Sequence, residues 1–129
     1  AARGSLRPRS RARYYTKLGR AEEKLGRPDR AYDQYKRALR LDPEHGLANL
    51  HMGLSYATAA EMREANRHWR KARRTARRTG DRELFQMIKT SKRYFQQAIE
   101  MVERGLPPPP PLDLDIGMFD DDDDTDWDW

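Results

Sequence analysis

The sequence contains no cysteine, which removes disulfide staples, thiolate metal sites and cysteine nucleophiles. Long apolar runs are missing too: nothing approaches the roughly 20 residues that cross a bilayer, so no membrane span is expected. Aromatic residues make up 9% and hydrophobic residues 36%, against 36% charged. A core can then come only from amphipathic helices that each carry one thin apolar face, which favours stacked helices over a sandwich or a barrel. With 129 residues, one core is the default.

Each end of the chain lacks one sign of charge. Residues 1–20 hold Arg3, Arg7, Arg9, Arg11, Arg13, Lys17 and Arg20, with Ser5 and Ser10, and no acid. Together with Ala1 in place of Met, this suits the end of a chloroplast or mitochondrial transit peptide, or equally a basic arm on a cytoplasmic protein. Residues 112–129 contain nine Asp and no base, and all 26 Lys and Arg precede them. Without those nine Asp, the net charge of +5 becomes +14 for the body.

What is present is a repeat. At an offset of 34 residues, Leu18, Gly19, Ala31, Tyr35 and Ala38 fall on Met52, Gly53, Ala65, Trp69 and Ala72. Apolar meets apolar at the large positions, and small meets small where two helices must approach closely. The reading is a helix, a tight turn and an antiparallel helix, given twice. Gly26 and Pro28 punctuate the first turn. Asp42 is expected to N-cap the third helix, with Pro43 as its first residue. Helices are expected at about 10–25, 29–41, 43–58 and 61–78.

These residues resemble the tetratricopeptide repeat family. Leu18, Gly19, Ala31, Tyr35, Ala38 and Pro43 fit its signature in the first copy, as do Met52, Gly53, Tyr56, Ala65, Trp69 and Ala72 in the second. The likeness covers about residues 12–79. Glu22, Asn49 and Arg77 depart from it, and Arg77, in place of the closing proline, argues against a regular third hairpin. The resemblance implies an all-α fold of two antiparallel hairpins and protein binding in general.

After Gly80, Asp81 is expected to N-cap a fifth helix reaching about Arg104, with a stripe of Leu84, Phe85, Met87, Ile88, Ser91, Tyr94, Phe95, Ala98, Ile99 and Val102. Its first half should pack on the second hairpin as a cap; its second half extends beyond, either exposed or against a partner. Two repeats and a cap fall short of the roughly three that solenoids need, so marginal stability is expected.

The chain divides into four segments: a basic arm at 1–11, a helical domain at 12–104, a polyproline spacer at 105–111 and an acidic tail at 112–129. Three surfaces are candidates for function. In a stack of such hairpins the first helix of each pair lines a concave groove, which places Arg13, Thr16, Arg20, Leu47, Leu50, His51, Leu54, Leu84 and Ile88 there. The same leucines also suit interhelix packing. The family's carboxylate clamp for chaperone tails is not matched, since Thr16, Arg20, His51, Asp81 and Phe85 stand at its positions. On the fourth helix, Arg63, Arg67, Arg70, Lys71, Arg74, Arg77 and Arg78, with Arg73, suggest a basic face for an acidic protein or RNA, or simply a solvated one.

The third surface is the tail. Prolines 107–111 are expected to form a stiff spacer of about 15 Å, holding Leu112, Leu114, Ile116, Met118 and Phe119 away from the body. Alternation of Leu and Asp can add a strand to a partner's sheet. Trp127 and Trp129 within the Asp run read as a linear motif, docking on a basic partner surface or folding back on the body, or as a solubilising tail. His45, His51 and His68 show no metal-ligand spacing, no phosphate loop or catalytic constellation is evident, and no cofactor is expected. The sequence therefore points away from an enzyme and toward a scaffold or assembly subunit of a larger complex, with an RNA-contacting ribonucleoprotein component as the rival.

Overall fold

The computed structural model describes residues 7–114. The readings that concern Ile116, Met118, Phe119, Trp127 and Trp129 lie outside those residues. Five helices run in order: α1 (Pro8–Lys24), α2 (Pro28–Leu41), α3 (Gly46–Thr58), α4 (Met62–Thr79) and α5 (Arg82–Glu103), with no strand among the described residues. α1 pairs with α2 and α3 with α4 as two hairpins, and α5 packs on α4 and α3.

Local chemistry accounts for the boundaries. Proline stands at the start of both α1 and α2, where its missing N–H costs nothing and its fixed φ suits a helix. α1 thus begins at Pro8, and residues 8–11 of the expected basic arm are its first turn. Gly26 closes the first hairpin turn at φ 73°, in the left-handed region. One repeat later Ala60 holds the same place at φ 63°, although it carries a Cβ. Gly80 ends α4 left-handed, and the Asp81 carboxylate accepts from the Leu84 amide at 3.0 Å, capping α5 as expected.

The expectation for the third helix needs correction. It starts at Gly46 rather than Pro43, and residues 42–45 form a turn in which the His45 amide donates to the Asp42 carbonyl at 3.0 Å. The Asp42 carboxylate lies 3.5 Å from His45 Nδ1 instead of capping a helix. Proline after the first turn residue sets the φ this bend requires. Asn49, which departs from the family pattern, explains why the turn is fixed. Its fully buried amide donates to the carbonyls of Pro43 (3.0 Å) and His45 (3.1 Å), while its Oδ1 accepts from His68 Nδ1 on α4 at 2.9 Å. Both amide protons are then used, which assigns the His68 proton to Nδ1. Thr75 completes the clamp by donating to the Glu44 carbonyl at 2.7 Å.

The repeat is visible as two equivalent crossings. Gly19 lies under the ring of Tyr35 and Gly53 under the ring of Trp69, and a Cβ on either glycine would enter the ring's space. The main core lies in the second hairpin and the cap, around Leu50, Trp69, Phe85 and Ile88, whereas Ala12 and Ala38 of the first hairpin form a thinner cluster with Ala48 of α3. On α5, Leu84, Phe85, Ile88 and Ser91 are buried, and Ile99 and Val102 are exposed.

The segment after α5 departs from expectation. Gly105 is left-handed at φ 75°; its amide donates to the Val102 carbonyl at 3.0 Å and the Leu106 amide to Met101 at 2.9 Å, a closure that turns the chain back. The prolines do not hold residues 112–114 away from the body. Leu112 and Leu114 are half-buried, and Leu114 packs against the main core cluster. Tyr94 on α5 donates its hydroxyl proton to the Pro109 carbonyl at 3.4 Å.

Candidate protein-docking groove

Five segments converge on one recess of about 1370 Å³. Arg20, Glu23 and Lys24 come from the end of α1, Pro28, Asp29 and Tyr32 from the start of α2, and His51, Leu54, Ser55, Tyr56 and Thr58 from α3. Tyr94, Phe95 and Ala98 of α5 form the far wall, and residues 108–114 contribute the last side. The hairpin geometry produces this arrangement: each first helix presents its C-terminal half to the same side, and the α5 stripe continues where the second hairpin ends.

The floor is organised by aromatic rings and histidines. Tyr35 stacks on His51 with centroids 5.3 Å apart, and Tyr56 stacks on His68 at 5.4 Å. The Tyr32 and Tyr56 rings meet edge to face at 5.9 Å, their hydroxyls 3.1 Å apart. Tyr35 donates its hydroxyl to Glu23 Oε1 at 2.6 Å, and the same oxygen lies 3.7 Å from His51 Nδ1. Burial, followed by the Glu23 contact, pushes the Tyr35 phenol well above its ordinary range, so it remains a donor. Burial, helped by Arg67 and Lys71, lowers the proton affinity of His68. The result is a rigid, partly apolar floor with Arg20, Lys24, Glu23 and Asp29 at the rim: suited to a side chain with an apolar body and a polar neighbour.

The residues expected in the groove divide. Arg20, His51 and Leu54 line it. Leu50 and Ile88 are fully buried, and Leu84 and Thr16 nearly so, the Thr16 hydroxyl bonding the Ala12 carbonyl at 2.8 Å. Leu50, Leu84 and Ile88 belong to the core cluster shared by α3, α4 and α5, so they serve interhelix packing and do not line the recess. Leu47 also packs on the core, and Arg13 is exposed outside the recess. Sequence reasoning missed the aromatic wall of Tyr32, Tyr56, Tyr94 and Phe95 as a groove surface. The two last were recognised only as part of the α5 stripe.

On α4, Arg63, Arg67, Arg70, Arg74 and Arg77 recur at helical spacing along one exposed face, flanked by Arg78 and half-buried Lys71; Glu64 pairs with Arg67 at 2.9 Å. A smaller recess of about 350 Å³ joins Arg73 to Lys89, Lys92, Arg93 and Gln96 of α5. Partial burial, with Arg73 and Arg70 nearby, lowers the proton affinity of Lys92. The i, i+3, i+4 and i+7 spacing of the α5 members was the overlooked signal. No group of three acidic or histidine side chains suited to a metal occurs among the described residues, and no described helix is long and apolar enough to cross a membrane.

With the crossings and the turn at 42–45 in place, the comparison with family models is decisive for the first hairpin: residues 12–45 match the tetratricopeptide repeat. Over those residues the chain is similar to the tetratricopeptide repeat. The matched segment ends at the 42–45 turn, and the second hairpin repeats the Gly19–Tyr35 crossing of the first with Gly53 and Trp69. Comparison with curated proteins and with solved structures gives no match.

Proposed function

We propose that the protein is a non-catalytic scaffold or assembly subunit that docks an extended segment of a partner protein in the recess between α1, α3 and α5. Tetratricopeptide repeats imply protein partners in general, and residues 12–45 are similar to one. The observation that carries the finer reading is the seating of Leu114 against the core beside Leu54, Tyr56 and Phe95, since it displays the kind of segment this surface accepts. A chain with an apolar anchor and neighbouring carboxylates uses the aromatic floor together with Arg20 and Lys24, the two cations of a mixed rim. The acidic tail with Trp127 and Trp129 supplies a second docking element, so one chain bridges two proteins.

The test is a photoreactive amino acid at Ser55, which lines the recess. Irradiation of native complexes should give a discrete adduct with one partner protein, and nuclease treatment should leave that adduct intact. Random labelling, or no adduct while a probe on α4 crosslinks strongly, would remove the groove from the proposal. The cations of α4 and the Arg73, Lys89, Lys92 and Arg93 recess favour a second reading, in which the same body contacts RNA. RNA binding that falls steeply with salt and survives removal of residues 112–129 supports that reading.

A further inference from the structure

The geometry points to residues 107–114 as a built-in competitor: they occupy one side of the docking recess as a strap, and the segment that displaces them is an extended partner peptide with two apolar residues flanking an acid. The inference rests on the docking function proposed for the groove and specifies both its ligand and its resting state.

Three independent features converge. First, the return of the chain is encoded: left-handed Gly105 and its two closing hydrogen bonds reverse the direction at the end of α5, and the Tyr94 hydroxyl meets the Pro109 carbonyl. Second, the alternation Leu112, Asp113, Leu114 is expressed as burial. Both leucines are half-buried and the intervening Asp113 is exposed, the pattern of an extended segment lying on an apolar surface. Third, Asp113 shares the recess with two cations, Arg20 and Lys24, in a lining that also carries Glu23, Asp29 and Glu61.

The attachment is also weak enough to be exchanged. Proline lacks an N–H, so residues 107–111 can only accept hydrogen bonds, and the Tyr94 contact, at 3.4 Å, is long for a hydroxyl donor. Tethering compensates, because a segment attached a few residues from its seat acts at an effective concentration near the millimolar range. A partner with the same chemistry and a longer contact outcompetes such a strap. Rigid prolines keep the displaced segment extended and ready to return.

The test uses the full chain and a fluorescein-labelled synthetic peptide with the sequence of residues 106–114. Leu112→Asp combined with Leu114→Asp should leave helicity unchanged and bind the peptide about ten-fold more tightly than the natural chain, since the seat is then vacant. Tyr94→Phe should give a smaller gain of about two-fold. A peptide carrying the two Asp substitutions should not bind either chain. Equal affinity of the natural chain and the double variant overturns the inference, as does a dimer that dissolves only in the double variant, which would make the strap an exchange element between copies. If neither chain binds the peptide while the Ser55 crosslink to a partner persists, the groove docks proteins but the strap does not mimic them. If the peptide competes as described and the Ser55 adduct is lost, the strap stands and the scaffold reading fails.

Discussion

The two hairpins obey the same plan yet divide its labour. The first carries the segment that matches the repeat, residues 12–45, and its buried apolar side chains, Ala12, Ala38, Ala31 and Tyr35, pack in small clusters with Ala48 and Met52 of α3. The second departs from the pattern at Asn49 and Arg77 and holds the larger side chains, Leu50 and Trp69, against Phe85 and Ile88 of α5. Helices on both sides of the second hairpin let Trp69, Leu50 and the Asn49–His68 bond be buried together, whereas the end hairpin buries one large ring, Tyr35. Family likeness therefore marks the crossing geometry, while stability depends on what stacks on it.

That contrast can be broken first at the rings. Trp69→Ala should cost about 3–5 kcal/mol in denaturant unfolding, from lost burial and the cavity left behind. Tyr35→Ala should cost about half as much, because a hairpin open on one side relaxes more easily. Equal losses would show that the first hairpin is as strongly held as the second. Next, Asn49→Ala should cost about 2–3 kcal/mol, since it strands His68 Nδ1 and the Pro43 carbonyl, while the His45 carbonyl keeps the backbone amide of residue 49. Hydrogen exchange should then accelerate in residues 42–45 before elsewhere.

The turns offer a sharper comparison. Gly26 and Ala60 occupy equivalent left-handed positions, and only the second carries a Cβ. Ala60→Gly should stabilise the protein by about 0.5–1 kcal/mol, while Gly26→Ala should destabilise it by a similar amount. A melting temperature that moves in the same direction for both would refute the equivalence.

The smallest effect concerns pH. Burial lowers the proton affinity of His68, with Arg67 and Lys71 adding to it; burial also lowers that of His45, although Asp42 opposes. The unfolded chain then binds more protons than the folded one as pH falls through the ordinary histidine range, so stability decreases below about pH 6.5 and is flat above it. Thermal melts between pH 5 and 8 should show this slope, and His68→Gln should shallow it.

Much of this was legible in the residues. The 34-residue offset located the crossings because glycine beneath an aromatic ring is a steric requirement, independent of surroundings. Gly80 and Asp81 announced the α5 cap for the same reason. Depth was not legible: the register directs Leu50 and Ile88 toward a groove, yet both are fully buried in the core, since a register says nothing of what covers a residue. The turn at 42–45 was misread because Asp followed by Pro suits both a helix start and a bend, and Asn49, seven positions on, decided between them. The strap was hidden by treating five prolines as a spacer. Gly105, shortly before them, was the sign of a reversal.

One residue at the end of the stack carries a consequence for how this architecture can grow. Gly19 and Gly53 let a following helix lie close, and the next position in that series is Met87, half-buried on α5. Met87 packs against the main core cluster, at a position where the close crossings of α2 and α4 have glycine opposite them. A consensus hairpin appended after α5 should therefore stack more closely, and raise the melting temperature further, when Met87 is replaced by glycine than when it is kept.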